Sequence, residues 1–230
     1  MQIIARMRSE FPEKFGVPRQ SGLVPQTTGR IVFEPAFRQP DALRGIEGFT
    51  HLWLIWQFHQ AQREGWSATV RPPRLGGNER MGVFATRSPF RPNAIGLSCV
   101  KLREVRLDTP EGPVLIVGGA DLVDGTPIFD IKPYLPVYDS HPEASCGFVE
   151  NAKERNLTVI FPEKLEEKIP PEQRSALRGV LAQDPRPSYQ DDPARVYGVA
   201  FGGHNVRFTV DGGVLTVCAV ERYARRGERN

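Results

Sequence analysis

Apolar residues in this chain come in short runs cut by proline and glycine, without the three-to-four spacing of long amphipathic helices in the first half. Residues 3–7 alternate weakly and read as a strand, and residues 29–33 read as a second. Residues 51–58, HLWLIWQF, are almost wholly apolar and rich in aromatics. The run is too short for a typical helix and reads as a buried strand. Residues 81–86 read as another strand, and 113–119 as one of the buried type. Residues 96–107 alternate imperfectly, and a bulge or bend near Arg103 accounts for the break. Residues 41–44 read as a single helical turn. Six or so short strands with no helix of usual length between them predict a mainly β fold, a β-barrel or folded sheet.

The pattern changes after residue 133. Prolines and then polar residues over 133–156 read as a linker. Residues 157–161 read as a strand. Residues 170–183 read as a helix, with Pro170 and Pro171 at its start and Leu177, Val180 and Leu181 on one face. Three more strands follow at 196–201, 205–210 and 214–220, joined by Gly-rich turns at 202–204 and 211–213. The expected organisation is a β-barrel over residues 1–140 and a small α+β domain over 157–230.

Composition narrows the classes. Hydrophobic residues make up 40% of the 230 and charged residues 25%, as in soluble globular proteins. No apolar run reaches membrane-spanning length, and the apolar start MQII is too short for a secretion signal, so a cytoplasmic location is expected. Cys99, Cys146 and Cys218 are far apart, and His51, His59, His141 and His204 lack metal-ligand spacing, so neither a disulfide framework nor a metal site is expected. No GxGxxG, GxSxG, HExxH or Walker sequence occurs, which argues against the enzyme classes that depend on them. A net charge of +3 says little, but its distribution says more. The tail 222–229 carries four arginines against one glutamate and reads as a frayed, solubilising end.

Two segments carry candidate chemistry. Residues 71–98, RPPRLGGNERMGVFATRSPFRPNAIGLS, form a loop shaped by proline and glycine and threaded with Arg71, Arg74, Arg80, Arg87 and Arg91. Guanidinium groups held on a rigid loop suit carboxylates, phosphates and flat rings. Residues 121–132, DLVDGTPIFDIK, place Asp121, Asp124 and Asp130 around an Asp-Gly turn. Such aspartates either cap backbone groups or present a carboxylate to a ligand.

The stretches RPPRLGG, GVFATRSPFRPN and DLVDGTPIFDIKPY resemble the TsaA-like (YaeB, TrmO) tRNA methyltransferases, as do VPRQSGLV, GFTHLWLIWQFHQ and LAQDPRPSY. The resemblance runs over nearly the whole chain; Ala94 stands where the family generally has a second proline. It implies a non-Rossmann β-barrel that uses S-adenosylmethionine to methylate N6 of threonylcarbamoyl-adenosine at position 37 of tRNA, next to the anticodon. It further implies a homodimer, no metal, and a C-terminal domain that assists tRNA binding. Matching positions assign cofactor contacts to Pro18, Arg19, Gln20, His59, Gln60, Arg87, Leu97 and the turn Asp124, Gly125, Thr126, Pro127 and Ile128.

These residue types suit that ligand. Gln20 and Gln60 offer donors and acceptors to ring edges or a ribose diol. Arg19 or Arg87 can fork onto a carboxylate. Asp124 can accept from hydroxyls or an ammonium, and Leu97 and Ile128 can flank a flat ring. His59 is either a ligand contact or a core histidine. The acceptor's proton can pass to Asp124, Asp121 or His59, among which the sequence does not choose. Asp184, Arg186 and Tyr189 of DPRPSY either stop a helix or contact RNA, through a phosphate at Arg186 and stacking on Tyr189. Two rival classes remain: a non-catalytic RNA-binding module, and a methyltransferase that uses the same cofactor on a small molecule.

Overall fold

The computed structural model describes residues 1–61, 65–72, 79–150, 156–186 and 192–224. Its first eight strands are β1 (Ala5–Ser9), β2 (Thr28–Phe33), β3 (His51–Gln57), β4 (Thr69–Val70), β5 (Met81–Gly82), β6 (Ile95–Arg106), β7 (Val114–Gly118) and β8 (Pro127–Pro133). Six of them close a barrel in the order β1-β2-β7-β6-β3-β8, with β8 pairing back onto β1. Every second residue of β3 points inward, so Leu52, Leu54 and Trp56 meet Met7, Ile31, Val100, Leu115 and Ile128 in the barrel core. β4 and β5 form a separate two-stranded ribbon.

The register between β6 and β7 shifts between Leu102 and Glu104, which makes Arg103 the extra residue of a bulge where the sequence pattern breaks. Two expectations need correction. Residues 81–86 are not one strand: only Met81–Gly82 pairs, and Val83–Ala85 is a 3-10 turn closed by the Thr86 hydroxyl and N–H on the Val83 carbonyl. Residues 127–132, the end of the aspartate-bearing segment in which no strand is read, form β8 together with Pro133 and close the barrel between β1 and β3.

The segment expected as a linker carries a short helix, α1 (Pro136–Asp139), and a 3-10 turn at Gly147–Val149. Then come β9 (Thr158–Ile160), α2 (Glu163–Glu166), α3 (Pro171–Ala182), β10 (Tyr197–Phe201), β11 (His204–Asp211) and β12 (Val214–Arg222). The second sheet runs β10-β11-β12-β9, with β9 parallel to β12. α3 buries Ala176, Leu177, Val180 and Leu181 in the core that this sheet shares. That core also takes Phe11 and Val24 from the stretch between β1 and β2, with Phe11 edge-on to Phe201 at 5.4 Å. A segment that starts and ends on the barrel is thus anchored in the second core, which fixes residues 14–20 at the edge of the site. Among the described residues no helix is long and apolar enough to cross a membrane.

Candidate functional site

A cavity of about 490 Å³ lies between residues 14–20, the end of β3 with residues 58–61, the segment leading into β6, and the approach to β8. Its floor is built from a strand pair. Trp56 of β3 faces Gly96 of β6 in register. A side chain at position 96 would overlap the indole: a Cβ there would sit 2.6 Å from Cδ2, with two other ring atoms nearer still. Glycine therefore lets the indole settle against the β6 backbone, with its ring centroid 4.3 Å from that of Phe58. The indole Nε1 donates to Ser98 Oγ at 2.9 Å, and the buried Ser98 hydroxyl donates to Asp121 Oδ1 at 2.6 Å.

Asp121 is the electrostatic centre of this arrangement. Burial pushes its carboxyl above the ordinary carboxylate value, and this outweighs the lowering by the Ser98 hydroxyl, the N–H groups of Asp121 and Ser21, and the charge of Arg87. Arg87 Nη1 donates to Gln20 Oε1 in a short hydrogen bond, and Gln20 Nε2 donates to the Arg19 carbonyl at 2.6 Å. Arg19 Nη2 reaches the Asp184 carbonyl of the second domain at 3.4 Å. One polar chain so runs from the Arg-rich loop to the α+β domain. Burial also lowers the imidazolium pKa of His59, opposed by the Gln57 backbone and joined by the charge of Arg6, with Asp124 pulling the other way. The shift favours the neutral imidazole of His59.

Pro18, Arg19, Gln20, His59, Gln60, Arg87, Leu97, Asp121 and Thr126 all line this one cavity. Leu97 is 54% exposed, an apolar strand side chain left half open to solvent at the cavity. The turn before β8 is divided. Thr126 N–H and Oγ1 both donate to the Val123 carbonyl, at 3.2 and 2.6 Å, and Gly125 takes a φ of 78° that a side chain disfavours. Asp124 caps: its Oδ1 accepts from the Ser9 N–H at 3.2 Å, and Arg8 lies 3.9 Å from Oδ2. Asp124, Gly125, Pro127 and Ile128 are not among the residues lining the cavity. Ile128 in particular is wholly buried in the barrel core, so it does not flank a ligand ring from this position. It falls on the inward face of a strand that the sequence pattern does not reveal.

In the second domain, Asp184 and Arg186 are both buried and hold each other. Arg186 Nε and Nη2 donate to the two oxygens of Asp184 at 2.8 and 3.0 Å, and the guanidinium lies 5.9 Å from the Tyr197 ring. Asp184 adopts a φ of 48°, a conformation that aspartate tolerates better than most residues. The expectation of Arg186 as an outward phosphate contact is corrected on this point: its fork is committed to Asp184 inside the domain. Tyr189, Arg74 and the tail arginines from Arg225 onward lie outside the described residues.

Trp56, Phe58, Gly96 and Ser98 also line or support the cavity and escape the sequence reading, whereas Arg91 of the arginine-threaded loop lines it as well. The available signal was a serine on the inward face of an otherwise apolar strand. Among the described residues no group of three or more His, Cys, Asp or Glu side chains could hold a metal ion.

The family model of the tRNA-methyltransferase O N-terminal domain matches residues 6–140, and that of the TrmO C-terminal domain matches 154–223. The chain is 46% identical to the tRNA (adenine(37)-N6)-methyltransferase of Escherichia coli (strain K12) over 226 residues, 95% of this chain and 96% of that one. It is 47% identical to the protein of the same name from Eikenella corrodens over 173 residues, 75% and 97% of the two chains. The crystal structure of TrmO from Pseudomonas aeruginosa superposes with a TM-score of 0.77 at 33% identity, covering 96% of each chain.

Proposed function

The chain belongs to the tRNA-methyltransferase O family, and we propose that it transfers a methyl group from S-adenosylmethionine to N6 of threonylcarbamoyl-adenosine at position 37, next to the anticodon of tRNA. The observation that carries this reading is the single cavity that gathers Arg19, Gln20, Gln60, Arg87, Leu97 and Asp121 from four separate stretches of chain. The donor set suits the cofactor. Arg87 or Arg19 meets a carboxylate, the two glutamines meet ring edges or the diol, and Leu97, Trp56 and Phe58 supply apolar contact. When bound, S-adenosylmethionine supplies an activated methyl group on a sulfonium that departs as a neutral thioether.

What remains for the protein is orientation and one proton. Alignment of nucleophile and methyl contributes most, because a well-held pair reacts as one molecule. The rigid Trp56–Ser98–Asp121 hydrogen-bond chain fixes one wall for that purpose. Of the three groups that could take the acceptor's proton, Asp121 and His59 line the cavity, whereas Asp124 is occupied in capping. We assign the proton to Asp121, which lines the cavity and whose carboxyl, raised by burial, is a stronger base than a solvated one. The α+β domain from residue 157 onward serves tRNA binding, and the protein works in the cytoplasm as a homodimer. A direct test offers the protein two tRNA samples that differ only in the threonylcarbamoyl group, with labelled S-adenosylmethionine. Label entering the modified tRNA alone supports the substrate assignment; equal labelling of both overturns it.

A further inference from the structure

A second hollow, of about 520 Å³, adjoins the first. The two share Ala61, Pro89, Arg91 and Ile95 as a common wall. The far side of the second hollow carries Trp66, Phe90, Asn93 and Phe129. Trp66 is 53% exposed and Phe84 is 71% exposed, and their rings lie nearly parallel, inclined by 25° with centroids 6.0 Å apart. Large aromatics paired in water on a soluble protein mark a surface meant to be covered.

The exposure is built into the fold. Val83 is buried, its N–H donates to the Ala68 carbonyl at 3.0 Å, and the Thr86 hydroxyl closes the turn on the Val83 carbonyl. With Val83 anchored inward, the 3-10 turn Val83–Ala85 turns Phe84 outward. Arg91 stands between the shelf and the first cavity. Its Cζ lies 5.9 Å from the Phe84 ring, and its Nη1 donates to the Thr86 carbonyl at 2.8 Å. The guanidinium is thereby held with its remaining donors available to line both hollows.

We propose that this second hollow is the acceptor-base site: the flat purine of the target nucleotide stacks on Trp66, Phe84 extends the shelf, and Arg91 meets the anionic part of that nucleotide. The inference rests on the methyltransferase reading of the first cavity. Two reactants must come within about 3–3.5 Å of each other, so an acceptor site has to share a wall with the donor site, as this one does. A base presented by a single-stranded RNA loop is unstacked and offers a π-face, which an aromatic shelf flanked by a cation recognises without regard to sequence. A second copy of this chain could also cover aromatic side chains, but it would not require the shelf to open into the donor cavity.

The test uses the full-length protein, an RNA hairpin with the sequence of a tRNA anticodon arm, and the variants Trp66→Ala, Trp66→Phe and Phe84→Ala. Tryptophan emission and anisotropy report hairpin binding, calorimetry reports S-adenosylmethionine affinity, and sedimentation reports the oligomeric state. Trp66→Ala is expected to weaken hairpin binding by about 5- to 150-fold, the equivalent of one lost base stack. S-adenosylmethionine affinity and oligomeric state should not change. Trp66→Phe should keep binding but lose the emission quench that the hairpin causes in the unaltered protein. Unchanged hairpin affinity in both alanine variants overturns the inference, as does a dimer that falls apart in Trp66→Ala while RNA affinity stays the same. If the hairpin arm behaves as expected but the unaltered protein methylates no tRNA, the shelf binds an RNA base, but the methyltransferase reading fails and the acceptor role with it.

Discussion

Replacing Gly96 by alanine perturbs the site at one defined atom. The added Cβ would lie 2.6 Å from Trp56 Cδ2, about 0.8 Å inside the 3.4 Å at which ordinary contact begins. Two other ring atoms lie closer still, so the indole must slide or tilt away. It has little room: Trp56 is 7% exposed, with Phe58 at 4.3 Å on one side and Ser98 at 2.9 Å on its Nε1. Overpacking of this kind costs about 1–3 kcal/mol. Loss of the Nε1 hydrogen bond leaves a buried donor unpaired, for about 1–3 kcal/mol more. The combined loss is about 2–6 kcal/mol, which in a chain of this length lowers the melting temperature by about 4–24 °C. The same displacement moves the cavity floor, so S-adenosylmethionine affinity should fall as well. Gly82→Ala is the control, because a Cβ there meets nothing within 4 Å, and its effect should stay within about 0.5 kcal/mol. Thermal melts and calorimetry on both variants decide the matter. If Gly96→Ala melts and binds like Gly82→Ala, the strand-pair account of the cavity floor is wrong.

Three further outcomes follow from the site. Arg87→Ala should lower S-adenosylmethionine affinity by about 10- to 150-fold, the loss of a charge-assisted contact, while Arg44→Ala, an exposed arginine paired with Asp41, should leave it unchanged in calorimetry. Burial raises the Asp121 carboxyl, so the folded protein holds that proton more tightly than the unfolded chain; the resulting stabilisation is full below the ordinary carboxylate value and lost as pH rises through the raised one. Asp121→Asn should therefore be the more stable protein in urea melts at neutral pH, with an advantage that closes as pH falls through the raised value, and its methylation rate should drop by about 10²–10⁴-fold. An advantage that widens on acidification would contradict the burial argument. Arg186→Ala strands Asp184 in the interior and should cost about 3–5 kcal/mol in a denaturant titration, whereas an outward phosphate contact would leave stability intact and weaken only RNA binding.

The sequence reveals elements whose pattern is local. Leu52, Leu54 and Trp56 mark β3, and the broken alternation near Arg103 marks the bulge that the β6–β7 register contains. β8 is hidden because Pro127 resembles a turn residue, and because Asp130 and Lys132, paired at 2.9 Å, interrupt its apolar residues. The anchoring of Phe11 and Val24 in the second core joins residues more than 150 positions apart, a relation that no local pattern encodes. Arg87 and Gln20 meet for a similar reason: their proximity comes from chain topology, and resemblance to a family singled them out before geometry did. Arg186 shows the opposite limit. An arginine between two prolines has the same composition whether it faces solvent or, as here, turns inward onto the carboxylate two residues before it.

The central claim is that this cavity delivers a methyl group to one adenine derivative in tRNA. The most direct measurement incubates the protein with tRNA containing threonylcarbamoyl-adenosine and methyl-labelled S-adenosylmethionine, digests the RNA to nucleosides, and identifies the labelled product by mass spectrometry. The account predicts a single labelled nucleoside, threonylcarbamoyl-adenosine carrying one added methyl on N6, with much less label when Arg87→Ala replaces the unaltered protein at limiting cofactor. Label on another nucleoside, or none in RNA from the unaltered protein, would contradict it.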